Sequence, residues 1–375
     1  MKILFLDTYY ENFLSELPRI FPDIGQCTYL EALNLTVDHG FGTASALSRA
    51  FRILGWQTKI IIPNSALLQS KWCEENLANF PSAALRKHTP YLNRLRILDS
   101  FLAKHGPSAL VLQQILDFEP DVVYVQDINY FTPEFIRSIR RLGIKVIGEI
   151  ASALPPDRFL MAYQAIVSAL PPIVDHCRSL DIESFNLPLA FDDSNESPNP
   201  TALRDIDAIF IGSAGKAWQT LDLLKEVVKE IPSLRIYGPI SDKVLINSGL
   251  KEFYFGEAWG RDMFNLLNRS KIALNRHGGI AGDYSVNMRM FEATGMGCLL
   301  LTDQKKFTSH LFEPDKEIIQ YRDFKDAGIL AKQYLEDLDS LQEISRAGNL
   351  RTLNHHTYMN RAVVLSEYLL KLPGK

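Results

Sequence analysis

The chain has 375 residues, 46% hydrophobic and 22% charged, with a formal net charge of −4. That length supports two domains with separate cores, and the charge balance gives no electrostatic case for nucleic acid as a partner. Four scattered cysteines, Cys27, Cys73, Cys177 and Cys298, fit neither a zinc spacing nor a disulfide framework, so a reducing, cytoplasmic setting is expected.

From the N-terminus, MKILFLDTYY holds too short an apolar run for a signal peptide and reads as a first strand at 3–6. Further strands are predicted at 58–62, 122–125 and 145–150, with helices at 43–54, ended by Gly55, and 133–142, ended by Gly143. Residues 67–116 are helical in composition and basic around Arg86-Lys87 and Arg94-x-Arg96, which predicts a helical insertion. Residues 192–201 (DDSNESPNPT) are the clearest linker. Alternation then restarts with strands at 208–211, 234–237, 252–255 and 271–274 and helices at 218–230 and 260–268. Strands alternating with helices imply parallel sheets in an α/β fold: two Rossmann-like, doubly wound domains at 1–190 and 202–354, facing a central cleft. No stretch approaches the roughly 20 apolar residues of a bilayer span. Any membrane contact would be peripheral, at the inner face, through the basic helix faces at 86–96 and 137–141.

The richest stretch is NRHGGIAGDYSVNMRMFEATGMGCLLLTD, residues 275–303. A strand ends on Asn275, Arg276 and His277, and a glycine loop comes next. Val286, Met290 and Ala293 then fall at helical spacing, before the apolar run 298–301 of a buried parallel strand. A glycine loop feeding a helix start presents free N–H groups and partial positive charge, which suits a phosphate. Arg276, a strand-end cation beside that loop, has an evident anionic partner.

The pattern Asn287-x-Arg289-x-x-Glu292-Ala293-x-x-x-Gly297, with Thr302-Asp303, residues 311–317 and His356-Thr357-Tyr358-x-x-Arg361, resembles the donor-site signature of group 1 glycosyltransferases with the GT-B fold. The likeness is strongest to the branch of the spore-maturation-type enzymes and covers about the last half of the chain. It implies that the helix start at Ser285, Val286, Asn287 and Met288 holds the donor diphosphate, with Arg289 beside it and Glu292 on the nucleotide ribose. Relatives carry an acidic residue eight positions before that glutamate, contacting the donor sugar; here the position holds Tyr284, with Asp283 beside it. The segment 255–259 would pass the nucleobase, with Trp259 able to stack on it. Residues 355–375 would form a terminal helix that crosses back to the first domain, with Val363, Val364, Tyr368 and Leu369 at helical spacing.

Other constellations carry competing readings. Gly212-Ser213-x-Gly215-Lys216 ends a strand, where small residues and a lysine can approach a diphosphate; an ordinary turn with a solvated lysine is the alternative. His39-Gly40-Phe41-Gly42-Thr43 precedes a helix, which Thr43 would cap. In the GT-B relatives such a loop lines the cleft near the transferred sugar. His39 is an acid–base candidate because imidazole titrates near neutrality, against the commoner structural histidine. Asp127, ending the strand DVVYV, would take a proton from an acceptor or else form a turn. Glu149 with Ser152 ranks below it. Asp205-x-Asp207 and Asp337-x-Asp339 match a metal-binding pattern outside its required context, the first before a strand and the second on a helix (GILAKQYLEDLDSLQEI), so no metal is expected.

The resulting expectation is a metal-independent transferase that moves a hexose-type sugar from a UDP- or GDP-type donor to an acceptor hydroxyl, without a cofactor. Arg276, Arg289 and Lys216 would offset the leaving diphosphate. The resemblance favours retention; inversion would require His39 or Asp127 as base. Epimerases that act on the donor alone share the fold, and product mass without acceptor separates them. A non-catalytic sugar-nucleotide sensor would bind donor yet never hydrolyse it.

Overall fold

The computed structural model describes residues 1–76, 107–195, 204–214 and 218–373. It divides into two units, one formed by Met1–Leu187 with Ala362–Lys375 and the other by Pro188–Arg361.

The first unit is built on six strands: β1 (Lys2–Leu6), β2 (Gln57–Ile61), β3 (Val122–Val125), β4 (Lys145–Glu149), β5 (Ala165–Ser168) and β6 (Glu183–Asn186). All pairings are parallel, in the order β2-β1-β3-β4-β5-β6. Helices α1 (Glu11–Ile20), α2 (Tyr29–Asp38) and α3 (Ala44–Ile53) follow β1, and α4 (Ala66–Asn76) and α5 (Pro107–Phe118) follow β2. Most of the insertion expected at 67–116, including Arg86 and Arg96, lies outside the described residues. Crossovers α6 (Pro133–Arg141), α7 (Asp157–Leu160) and α8 (Pro171–Ser179) complete the unit. Parallel strands need such crossovers, and cover on both faces makes β1, β3 and β5 continuous apolar runs.

The second unit holds β7 (Ile206–Ile211), β8 (Arg235–Tyr237), β9 (Ser270–Leu274), β10 (Leu299–Asp303) and β11 (Ile319–Tyr321). These are also parallel, in the order β11-β10-β9-β7-β8. Its helices are α9 (Trp218–Glu230), α10 (Asp242–Ser248), α11 (Gly260–Asn268), α12 (Met288–Gly295), α13 (Phe324–Glu336) and α14 (Leu338–His355). The period-2 alternation of strands splits the core in two. Ala208, Phe210, Ile272 and Leu274 pack in one cluster with Leu224 and Val227 of α9. Ile209, Ile211 and Ala273 face the other way, onto Phe264 of α11 and Phe291 of α12.

Helix α15 (Tyr358–Lys371) carries the chain from the second unit into the first. Its enclosed stripe in the first unit is Ala362, Leu365, Leu369 and Leu372, while Val363 and Val364 face outward at 39% and 47% exposure. The expected apolar face was therefore rotated; the i, i+3, i+7 stripe one residue earlier is the buried one. Lys145 Nζ donates to the carbonyls of Leu369 (3.2 Å) and Leu372 (2.6 Å), closing the helix end. Arg361 gathers acceptors from two stretches of chain, Pro188 O (2.8 Å), Leu189 O (2.9 Å), His355 O (3.0 Å) and His356 Nδ1 (2.9 Å). Burial pushes His356 down to about 4, so its neutral ring accepts from Arg361 at Nδ1 and donates from Nε2 to Leu311 O.

Three elements depart from the sequence reading. Residues 252–255 form no strand: a 3-10 turn, Lys251–Phe253, leads to one bridge between Tyr254 and Ile236, and Gly256 at φ +103° turns the chain away. The helical run through Asp337 is two helices, because Asp337 leaves helical geometry and its carboxylate caps Ser340 N–H. Residues 188–191, beside the expected linker, pack into the second unit, where Phe191 is fully enclosed and pairs with Thr357.

Candidate active site

In each sheet the strand order reverses once, between β1 and β3 and between β7 and β9. Chains leaving two adjacent strands in opposite directions open a crevice at their carboxyl ends, where α/β folds bind ligands.

At the second-unit crevice, Gly212 ends β7 and its N–H donates to Tyr237 O at 3.0 Å. Gly238, at φ +130°, lies against it so closely that a Cβ there would sit 2.2 Å from Gly212 O. Ser213 is exposed, while Lys216 falls outside the described residues.

Across the reversal, Asn275 at the end of β9 donates from Nδ2 to Thr302 Oγ1 (2.9 Å) and accepts at Oδ1 from Asn287 Nδ2 (2.8 Å). Asn287 Oδ1 in turn accepts from Met290 N–H at 3.2 Å. Asn287 is thus the N-cap of α12, in extended geometry, and Ser285 and Val286 precede the helix. The helix was expected to begin at Val286; its apolar spacing continues upstream, but the cap sets the start. Met288 and Arg289 supply the first-turn N–H groups without intrahelical acceptors.

The two arginines differ. Arg276 is half-buried and donates from Nη1 to Thr220 Oγ1 at 3.3 Å. Arg289 donates from Nε to Ile211 O (3.2 Å), tying the first turn of α12 to the end of β7, and pairs through Nη1 with Glu292 Oε2 at 2.7 Å. Both partners of that pair keep a narrow exposed edge, 15% and 12% of the side chain.

His277 turns inward instead of toward a ligand. Its side chain is fully enclosed, with Nδ1 2.7 Å from Asp303 Oδ1 and Nε2 3.2 Å from Met290 Sδ. Burial pushes the Asp303 carboxyl up, but His277 through its ring, charge and N–H, aided by Lys305, outweighs burial and holds it below its ordinary value. Lys305 Nζ also donates to Gly282 O at 2.9 Å, Ser285 meets Thr308 at 2.6 Å, and the Tyr284 ring stacks on Phe307. The glycine loop is thereby fastened to the segment after β10, with Asp283 left exposed. Trp259 is half-buried at the start of α11, its indole N–H on Glu257 (3.1 Å). Phe255 is the open aromatic, 55% exposed, stacked on Tyr237 and covered by the Arg235 guanidinium.

At the first-unit crevice, Asp7 follows β1, Asp127 follows β3 and Glu149 ends β4. Asp7 accepts from Ala44 N–H (3.3 Å) and so caps α3 from a distant segment. Thr43, expected to cap α3, has helical backbone angles and no side-chain cap; its hydroxyl is engaged by the Gln126 amide. A Cβ on Gly42 would lie 2.4 Å from Asp7 Oδ2, so glycine is what admits that carboxylate. Gly40, at φ +79°, ends α2. His39 is 6% exposed, stacked on Phe13 and edged by Phe21, within an aromatic cluster. Asp127 closes a turn by accepting from Asn129 N–H (3.0 Å), and accepts from Thr8 Oγ1 (3.2 Å). Burial, with the charges of Glu149 and Asp127 adding, pushes Asp7 up to about 7. Burial likewise raises Glu149 to about 7, against hydrogen bonds from Tyr124 and Gln126. Sequence reasoning ranked Glu149 low and passed over Asp7, although an aspartate directly after the first apolar strand was the available signal.

Asp205 and Asp207 lie at the opposite, amino end of β7, paired with Arg269 and Lys271. Among the described residues no group of His, Cys, Asp and Glu is placed to hold a metal ion.

Comparison with known proteins agrees with this architecture. Residues 218–367 match the family described as Glycosyl transferase-like. No curated protein matches the chain by sequence. HepE from Anabaena, in complex with UDP and glucose, aligns with a TM-score of 0.61 at 12% identity, covering 99% of this chain and 100% of that one. Sucrose-phosphate synthase from Thermosynechococcus elongatus gives 0.60 at 9% identity, covering 99% of each chain. UDP-GlcNAc 2-epimerase from Neisseria meningitidis, bound to UDP-GlcNAc, gives 0.51 at 12%, covering 99% and 100%. Family match and fold point the same way: the chain has the GT-B fold, and its residues 218–367 match the family described as Glycosyl transferase-like.

Proposed function

We propose that the chain transfers a hexose-type sugar from a UDP-type donor to an acceptor hydroxyl, with retention at the anomeric carbon and without a metal. One observation carries the reading: the Arg289–Ile211 contact brings the first turn of α12 against the glycine end of β7, at the strand reversal. Two N–H groups and Arg276 then serve the leaving diphosphate, whose developing charge is the main thing such a transfer needs stabilised. Glu292, held by Arg289, accepts from the ribose hydroxyls, and Phe255 offers a face to the base. The UDP and UDP-GlcNAc in the complexes named above favour uridine over guanosine. A mass-shift or calorimetric screen of UDP, GDP, ADP and dTDP tests this; binding of UDP is expected, and indifference to all four would sink it. Incubation with UDP-GlcNAc alone tests the epimerase reading, whose product would have unchanged mass and altered stereochemistry.

A further inference from the structure

His277 and Asp303 are linked to both backbone segments offered to the donor diphosphate, and the reading above gives neither a part in binding it. His277 follows the end of β9, Asp303 ends β10, and the histidine ring is fully enclosed. Nδ1 faces Asp303 Oδ1 at 2.7 Å, and Nε2 faces Met290 Sδ at 3.2 Å. A carboxylate and a thioether can only accept, so each ring nitrogen has to bring its own proton. The ring is then an imidazolium, a buried cation that needs a paired charge. Asp303 supplies it. The same Oδ1 also accepts from the His277 backbone N–H at 2.9 Å and from Thr302 Oγ1 at 3.3 Å. The other carboxylate oxygen lies 3.5 Å from Lys305 Nζ, which donates to Gly282 O at 2.9 Å. Two cations thus share one carboxylate, which leaves an unbalanced positive charge behind the glycine loop. The two arginines of the crevice point elsewhere, Arg276 to Thr220 and Arg289 to Glu292. Gly282, Lys305, Asp303, His277 and Met290 form one chain of contacts from the end of the glycine loop to the first turn of α12.

We propose that His277 is a positioning residue for the donor diphosphate: as an imidazolium it ties the glycine loop to the first turn of α12 and adds positive charge behind both. The inference rests on the donor reading above. A neutral ring would set a bare nitrogen against either the carboxylate or the sulfur, acceptor facing acceptor, which native interiors seldom retain. Being enclosed, the ring acts through the loop and the helix, and through a field that the interior screens less than water does.

Nitrogen-15 NMR of the histidine rings on the full chain at pH 7 reads the protonation. Signals lost in His277→Asn identify the ring among the eight histidines. Met290→Leu, close in volume, shifts the same signals and identifies them if the asparagine variant does not fold. Two proton-bearing nitrogens are expected, and one bare nitrogen would overturn the proposal. Calorimetry with UDP and with uridine, which lacks the diphosphate, reads the role. His277→Asn keeps a donor near Nδ1 but loses the charge and the contact with Met290, and should lower the ratio of UDP to uridine affinity at least fivefold. Met290→Leu should lower it at least twofold. General loss of packing weakens both ligands alike, so equal weakening, or wild-type ratios in both variants, would reject the positioning role. UDP bound by wild type with ratios unmoved in the variants removes this inference alone; no UDP binding by wild type removes the donor reading and this inference with it.

Discussion

Replacing Glu149 by glutamine removes a buried proton equilibrium, and the depth of that carboxyl sets both the size and the sign of the effect on stability. Burial raises it from 4.5 to about 7. At about 1.4 kcal/mol per pH unit, the difference comes to about 3 kcal/mol. Below pH 4.5 the side chain is protonated in folded and unfolded chains alike, so it adds no pH dependence. Between 4.5 and 7 the folded chain keeps a proton that the unfolded chain releases, and stability falls as pH rises; above 7 the full cost is in place. Glutamine has no such proton. The stability of Glu149→Gln relative to wild type should therefore climb by about 3 kcal/mol between pH 4.5 and 8. Paired urea unfolding at several pH values reads this directly, because subtraction cancels the titrating groups that Glu149 does not touch; Asp7, which the charge of Glu149 helps to raise, adds to the difference in the same direction. Fluorescence suits the unit concerned, since Trp56 and Trp72 are both enclosed there. A difference flat to within about 0.5 kcal/mol, the scatter of an ordinary surface substitution, would refute the buried-carboxyl reasoning.

Glu292→Ala should weaken UDP binding by about 1.5–3 kcal/mol, the scale of hydrogen bonds to a charged group, and unchanged calorimetric affinity in a folded variant would remove Glu292 from the ribose. On the proposed reading Arg276 and the first-turn amides neutralise the diphosphate, so transfer should survive excess EDTA; total loss restored by manganese would contradict that. Gly238→Ala should destabilise the second unit by at least about 2 kcal/mol, since its Cβ meets Gly212 O at 2.2 Å in a left-handed backbone region; an unchanged melting temperature would deny the close approach.

What was legible in the sequence is what local chemistry dictates. Short apolar runs marked β1, β3, β7, β9 and β10, with glycine beside β7 and β10, and their alternation with helices implied parallel sheets. Short or mixed runs such as AIVS in β5 and ESFN in β6 carry little periodic signal and become strands through their neighbours. The start of α12 was misplaced because Val286 keeps the helical spacing, whereas the cap at Asn287 is held by Asn275, twelve residues away. Asp7 and His277 were obscured for the same reason. Their partners, Ala44 and Asp303, lie far along the chain, and only the fold brings a helix start to one and a carboxylate to the other.

The guanidinium of Arg361 has a consequence for how the chain tolerates change. The backbone passes between the two units twice, at 187–188 and at 361–362. The planar fork of Arg361 binds carbonyls from both passages, which leave the second unit fastened to each other as one bundle. An extra residue at 188–191 would dislodge the acceptors that hold the other passage, so the two behave as one part under mutation. A lysine, with a single point of charge, has no fork to span them.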